Sequence, residues 1–302
     1  MSRYFRPVFL LLAICSVGCQ PTQPSNVHRM PKDEKRLPKE SLTYLQRRAK
    51  NPSQIVRTDF PKHSWLPTKV PEGVQEVFYP SGKLKLKGWL HLPEDRKKPH
   101  PALVYLHGGF QFRAEEYELC QPFIEAGYVV FCPTFRGKNG NPGNFELLYG
   151  EVEDAAAAVR WLAEQPYTDK KRLFVFGSEE GGSVAALLSL FDDVPAQHTG
   201  SYEGVITEEI FTNWAEEGML PFAVGSDEEK RMRMLLTNLK DMKTPHYDFM
   251  SRWTSYHRLL KRANQELKME NRLLSLIPPD EIGITRPPQA VRKYLELIQT
   301  KQ

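Results

Sequence analysis

The residues best placed to do chemistry lie in one glycine-rich segment in the middle of the chain. An apolar run over Leu173–Phe176 leads into Gly177-Ser178-Glu179-Glu180-Gly181-Gly182. The side-chain-free Gly177 and Gly181 permit a sharp turn from a strand into a helix. Glu179 lies in the middle of this segment, so its carboxylate would be close to the unpaired N–H groups that begin a helix. Such a group can act as a nucleophile or hold a fixed negative charge.

The histidines determine whether a serine hydroxyl near this turn could react instead. An alcohol needs a general base to remove its proton, and that base is most often a histidine. Three of the eight histidines follow the turn, and we expect each of them at the surface: His198, His246 and His257. We expect His107, at the end of a strand, to shape the loop that follows it rather than to act as a base.

Composition and spacing exclude several other classes of site. The net charge of +4 is too small to indicate nucleic-acid binding. The histidines and cysteines lack the close spacings of a zinc site, so we expect no metal. Gly177–Gly182 lacks the dinucleotide fingerprint, and we expect no cofactor. Cys120 and Cys132 are expected to be buried thiols rather than a disulfide.

The elements that must position these residues can be read from the hydrophobic pattern. Alternation over residues 83–87 predicts a strand with one exposed face. Continuous apolar runs over 102–106, 128–132 and 173–176 predict strands covered on both faces, as in a parallel sheet. Helical periodicity separates or follows these runs at residues 152–162, 256–267 and 291–298. The order predicts one doubly wound α/β domain over residues 71–302, with Met232–Leu239 in a small cap.

Four motifs in a fixed order carry a resemblance to a known family. They are Tyr79-Pro80-Ser81-Gly82 continuing to Trp89–Pro93, then His107-Gly108-Gly109-Phe110, then Pro133–Gly137 with Asn141-Pro142-Gly143, and lastly Gly177–Gly182. The segment resembles the α/β-hydrolase superfamily, in its prolyl-oligopeptidase-like and dienelactone-hydrolase-like branches. The resemblance implies an α/β-hydrolase fold, with a mostly parallel sheet and helices on both faces, and a site built around a nucleophile turn.

The same resemblance implies that the catalytic triad is degenerate. It places Glu179 at the nucleophile position, Thr254 at the acid position and Ile282 at the histidine position. The oxyanion-hole candidates are Gly109, Phe110 and Glu180, and we expect the Glu179 carboxylate to occupy those donors. The resemblance therefore implies a pseudo-hydrolase that binds a small molecule or peptide or serves as a scaffold. The alternative is an active serine-type acyl hydrolase or peptidase with a displaced triad.

The N-terminus predicts how the chain is delivered. Arg3 and Arg6 precede an apolar run too short to span a bilayer, and small residues then lead to Cys19. This resembles a bacterial lipoprotein signal, which implies a signal peptide over residues 1–18, acylation of Cys19 and a proline-rich tether over residues 19–70. We expect an exported protein anchored by lipid to a bacterial membrane. Plain secretion and an uncleaved anchor are the alternatives.

Overall fold

A computed structural model describes residues 42–60, 69–109, 111–250, 273–278 and 286–300. Several predicted features lie outside the described residues: the signal peptide, Cys19, Phe110, Thr254, the predicted helix at 256–267, and Ile282.

The core of the domain is one eight-stranded sheet. Its strands are β1 (Gln75–Ser81), β2 (Leu84–His91), β3 (His100–Leu106), β4 (Val129–Pro133), β5 (Thr168–Ser178), β6 (His198–Tyr202), β7 (His246–Phe249) and β8 (Leu274–Ile277). They lie in the order β1-β2-β4-β3-β5-β6-β7-β8. β2 pairs antiparallel with both β1 and β4, and every other neighbouring pair is parallel. The predicted mostly parallel sheet is confirmed.

Eight α-helices accompany the sheet in the described residues. They are α1 (Tyr44–Lys50), α2 (Ala114–Tyr117), α3 (Gln121–Glu125), α4 (Gly150–Ala163), α5 (Glu179–Leu188), α6 (Glu209–Glu216), α7 (Asp227–Arg231) and α8 (Pro287–Gln299). Buried side chains of α4 and α5 belong to one hydrophobic cluster, and those of α3 and α8 to a second. The sheet is therefore covered on both faces, which is why its central strands carry unbroken apolar runs. No helix in the described ranges is long and apolar enough to cross a membrane.

The predicted tether is partly folded onto the domain. Thr43 caps α1, and its hydroxyl and the Gln46 side chain bond reciprocally to backbone N–H groups. The Tyr44 ring is fully buried; its N–H donates to Asp241 Oδ2 at 2.8 Å and its hydroxyl donates to the Met232 carbonyl at 3.0 Å. The compact unit accordingly begins at Leu42, not at residue 71. Phe60, in the same segment, is also buried, and its ring contacts that of Phe145. The many prolines and charges of the segment gave no sign of these two buried aromatic residues.

The chain between β6 and β7 forms the small cap. It holds α6, α7 and a 3-10 helix over Leu236–Asp241. Met232, Met234 and Leu235 are buried, as predicted for the cap. Arg233 is also buried and pairs with Glu229 at 2.5 Å.

Candidate functional site

The turn between β5 and α5 has the sharp geometry predicted for its glycines. Glu179 has φ +53°, in the left-handed region that glycine favours and other residues seldom adopt. A Cβ on Gly177 would overlap the Gly181 carbonyl, and a Cβ on Gly181 would overlap the carbonyl of Leu106. Only glycine fits at these two positions. The close approach of β5 and α5 therefore requires glycine at both residue 177 and residue 181.

Ser178, the residue before the tip, faces away from the cleft. It is buried, and its hydroxyl accepts a hydrogen bond from the Tyr105 hydroxyl at 3.2 Å. The serine in this turn is thus held in the sheet interior. It is not available as the nucleophile of this turn.

The Glu179 carboxylate lies in the open cleft, and no hydrogen bond joins it to any described residue. It leans toward the loop after β3, where a Cβ on Gly108 would lie 3.0 Å from Glu179 Oε2. Burial raises the pKa of this carboxyl, and the charges of Glu203 and Glu180 raise it further. No hydrogen bond joins this carboxylate to the N–H of Gly109 or Glu180, and Phe110 lies outside the described residues. The expectation that the carboxylate occupies the oxyanion donors therefore stays a prediction.

The loop after β3 has acquired its own polar partners. The Gly108 N–H donates to Glu116 Oε1 at 3.0 Å. The Gly109 carbonyl accepts from Lys138 Nζ at 2.9 Å, and Lys138 also forms a buried ion pair with Glu180 at 2.8 Å. Of the predicted oxyanion candidates, Gly109 and Glu180 are thus linked through one lysine. Burial raises the pKa of Glu116 to about 7, and the charge of Glu179 adds to this effect.

Sequence reasoning missed both Glu116 and Lys138. Glu116 lies in the short helix Ala114–Tyr117. A helix of four residues is too short to show a hydrophobic periodicity that could have indicated the position of Glu116. Lys138 follows the Arg136-Gly137 motif directly, which is the one signal that could have pointed to it. Next to them His107 is fully buried; its Nδ1–H donates to the Gly108 carbonyl at 3.0 Å, in keeping with a supporting role for this loop.

A serine, a histidine and an aspartate meet beside the turn, on β6 and β7. Pairing across the sheet sets Gly177, Ser201 and Asp248 in one row. The Ser201 hydroxyl donates to Asp248 Oδ1 at 2.5 Å and lies 2.8 Å from His246 Nε2. Because that hydroxyl donates its proton to the carboxylate, the imidazole must supply Nε2–H to it. In a catalytic triad the histidine accepts from the serine, so the order of proton donation here is reversed.

The side chains of this network are buried. Ser201, His246 and Asp248 are each 0% exposed, so the expectation of a surface His246 was wrong. Thr199 fills the other side of the ring, with its hydroxyl 2.8 Å from His246 Nδ1. Burial lowers the pKa of His246 to about 3 and raises that of Asp248 to about 6. The neutral imidazole is held between two hydroxyl groups as a structural group.

A cavity of about 180 Å³ adjoins Glu179 on the side of the cap. Four acidic residues line it together with five apolar ones: Glu179, Glu180, Glu203 and Asp248, with Val205, Ile206, Ile210, Trp214 and Met250. Ser183 also lines it. No Lys or Arg is among these residues. Across the described part of the chain, no three His, Cys, Asp or Glu side chains converge closely enough to hold a metal ion.

Comparison with known proteins supports the predicted fold. The sequence profile of the X-Pro dipeptidyl-peptidase (S15) family matches residues 81–274. The uncharacterized peptidase YtmA of Bacillus subtilis is 31% identical over 119 residues, which are 38% of this chain and 44% of that protein. The inactive dipeptidyl peptidase 10 of Mus musculus is 44% identical over 43 residues, which are 14% of this chain and 5% of that protein.

Among solved structures, an esterase from Pyrobaculum calidifontis superposes with a TM-score of 0.58 at 18% identity, covering 77% of this chain and 87% of the esterase. The α/β-hydrolase fold and the prolyl-oligopeptidase-like relationship are thereby confirmed. The matched segments span less than half the length of the two curated relatives.

Proposed function

The chain belongs to the X-Pro dipeptidyl-peptidase (S15) family, and we propose that it is a catalytically degenerate member that works as a binding or scaffold module. One observation carries the proposal: the tip of the nucleophile turn is Glu179, and the serine beside it is buried and bonded to Tyr105. A hydroxyl nucleophile is missing from the place where this fold presents one to a substrate.

The surroundings of the turn support the same conclusion. The Gly108 N–H, on the loop that supplies oxyanion donors in this fold, is already bonded to the Glu116 carboxylate. Glu179 and Glu116 bring negative charge to the region where a reacting carbonyl would gain negative charge. An acyl-transfer transition state would therefore be repelled here, whereas a neutral or cationic ligand would not.

The second candidate is a working serine hydrolase or peptidase with a displaced triad, and the Ser201–His246–Asp248 network is the observation that favours it. Its weakness is access, since all three side chains are fully buried. A hydrolase based on Ser201 would require the cap chain next to β6 to open before substrate could reach the hydroxyl.

The test is covalent labelling of the folded protein with a fluorophosphonate, which reacts with activated serines, together with hydrolysis of activated esters and peptide anilides. We expect no labelling and no hydrolysis above the buffer rate. A Ser201→Ala variant is the matched control. Stoichiometric labelling of the parent that Ser201→Ala abolishes would overturn the proposal and establish the displaced triad. Labelling that persists in Ser201→Ala would also overturn the proposal, and would show that a different serine is the reactive one.

We further propose that the module is exported and held at a bacterial membrane by acylation of Cys19. The support is the short apolar run that ends in small residues before this cysteine. Metabolic labelling with a fatty-acid analogue should tag the parent protein, and Cys19→Ser should leave it unlabelled and soluble after lysis. A Cys19→Ser protein that stayed equally membrane-bound would show that the anchor is not a lipid on this residue.

A further inference from the structure

We propose that the cavity beside Glu179 binds a small organic ammonium ion: a protonated primary amine that carries a short aliphatic or aromatic group. The inference deepens the proposed function, because it names the ligand class of a site taken there to bind rather than to hydrolyse. It rests on the carboxylates of the cavity, on its apolar wall and on one buried oxygen that has no partner.

The buried oxygen is Oδ2 of Asp248. Its sister atom Oδ1 is fully used, accepting from the Ser201 hydroxyl at 2.5 Å and from the Gly204 N–H at 2.8 Å. Oδ2 is buried and accepts no hydrogen bond, although Asp248 lines the cavity. An unpaired carboxylate oxygen inside a protein is costly unless a donor or a cation reaches it. A ligand that enters the cavity with an N–H group can supply that donor.

Glu179 provides a second carboxylate that lines the same cavity, and no hydrogen bond joins it to a described residue. The other lining carboxylates are those of Glu180 and Glu203. Glu180 forms an ion pair with Lys138, which is not among the lining residues. Among the described residues, no lining Lys or Arg balances the negative charge of Asp248 and Glu179. A compact positive charge placed between them would be attracted by both in a partly desolvated space, where Coulomb forces are stronger than in water.

The shape of the site favours an organic cation over a metal ion. The carboxylates do not converge to a common point, and no three ligating side chains among the described residues could coordinate one metal. The other lining side chains are mostly apolar and include Trp214 and Ile210, from α6. An indole face attracts a cation and also packs against an aliphatic or aromatic group. The volume of about 180 Å³ equals roughly six water molecules at ~30 Å³ each.

Benzylamine is a suitable probe, because it combines an ammonium group with one ring and has a size that fits the cavity. Benzyl alcohol is its neutral counterpart of nearly the same shape. Binding of each is measured by isothermal titration calorimetry and by ligand-observed NMR on the full chain at neutral pH. We expect saturable benzylamine binding, and binding of benzyl alcohol at least tenfold weaker, since a charge-assisted hydrogen bond is lost.

Three single variants test which residues hold the ammonium. Asp248→Asn keeps the Oδ1 acceptor but removes the negative charge of Asp248. Glu179→Gln removes the negative charge of Glu179. Each is expected to weaken benzylamine binding about tenfold or more. Glu209→Gln is the matched control. It removes an exposed carboxylate from α6, and Glu209 does not line the cavity. We expect this variant to bind benzylamine like the parent.

The proposal is overturned if benzylamine shows no saturable binding up to about 10 mM, a weak limit for a ligand of this size. It is also overturned if benzyl alcohol binds equally well, or if Asp248→Asn and Glu179→Gln both bind like the parent. If Asp248→Asn does not fold, Glu179→Gln alone decides the role of the carboxylates. None of these results changes serine labelling, so failure here is distinguishable from failure of the proposed function.

Discussion

Replacing Glu179 with glycine should stabilise the protein, even though Glu179 occupies the position of the catalytic nucleophile. The backbone there has φ +53°, a left-handed conformation that costs a non-glycine residue about 1–2 kcal/mol. Glycine avoids this cost but gives up about 0.5–1 kcal/mol through the greater freedom of the unfolded chain. No hydrogen bond to the carboxylate is lost, because none is formed with a described residue.

The charge of Glu179 contributes in the same direction. Burial and the neighbouring carboxylates raise the pKa of this group, so the folded state disfavours its ionised form. A raised carboxyl pKa costs stability above that pKa and costs nothing below the ordinary value of 4.5. Removing the carboxylate should therefore help at pH 8 and make no difference at pH 4. We expect Glu179→Gly to gain about 1 kcal/mol of unfolding free energy near neutral pH.

Urea unfolding followed by tryptophan fluorescence gives the unfolding free energy directly. Glu179→Ala is the matched control, because it removes the carboxylate and keeps the left-handed strain. The difference between the two variants isolates the backbone contribution, and about 1 kcal/mol corresponds to 2–4 °C in melting temperature for a domain of this size. The reasoning is refuted if Glu179→Gly is less stable than both the parent and Glu179→Ala. That result would mean that the left-handed backbone at residue 179 costs the alanine side chain less than glycine loses through the freedom of its unfolded chain.

Three further outcomes are expected. Ser201→Ala should lower the unfolding free energy by about 2–4 kcal/mol, because it leaves His246 Nε2–H and Asp248 Oδ1 short of a buried partner; a loss below 0.5 kcal/mol in urea unfolding would contradict the assigned network. Burial raises the pKa of Glu151 to about 7, so Glu151→Gln should add up to about 3 kcal/mol above pH 7 and nothing at pH 4; equal gains at both pH values would be evidence against this. Cys120 and Cys132, both 0% exposed and 3.7 Å apart at sulfur, should resist thiol reagents until the protein unfolds, as read by peptide mass spectrometry; rapid labelling in the native state would contradict this burial.

The sequence was most informative where sterics leave few choices. Gly177 and Gly181 predicted the sharp turn because any side chain there collides with backbone carbonyls. The alternating residues of β2 and the unbroken apolar runs of β3 and β5 predicted strands with one or both faces covered, since burial follows directly from the pattern. These features depend on a few adjacent residues, so a single chain reveals them.

Features that depend on distant partners could not be predicted in this way. The burial of His246 depends on Ser201 and Thr199, more than 40 residues earlier, which offer hydroxyl groups on both sides of the ring. Likewise, Tyr44 anchors a segment whose prolines and charges favour a tether. The orientation of the Glu179 side chain depends on the exact backbone dihedral at the turn. A sequence pattern can place the residue at the tip but cannot say where its carboxylate points.

The docking of α1 has a consequence for the order in which the domain folds. The hydrogen bond between Tyr44 and Asp241 closes a loop of 197 residues, for which chain entropy costs about 5 kcal/mol if the intervening chain is still unfolded. The earliest part of the described chain must therefore wait for one of the latest parts before it can pack. During synthesis or export α1 would emerge long before Asp241, so its Tyr44 would be without this partner throughout that interval. The same segment should detach first when the protein unfolds, which makes it the natural place to look for an early protease cut.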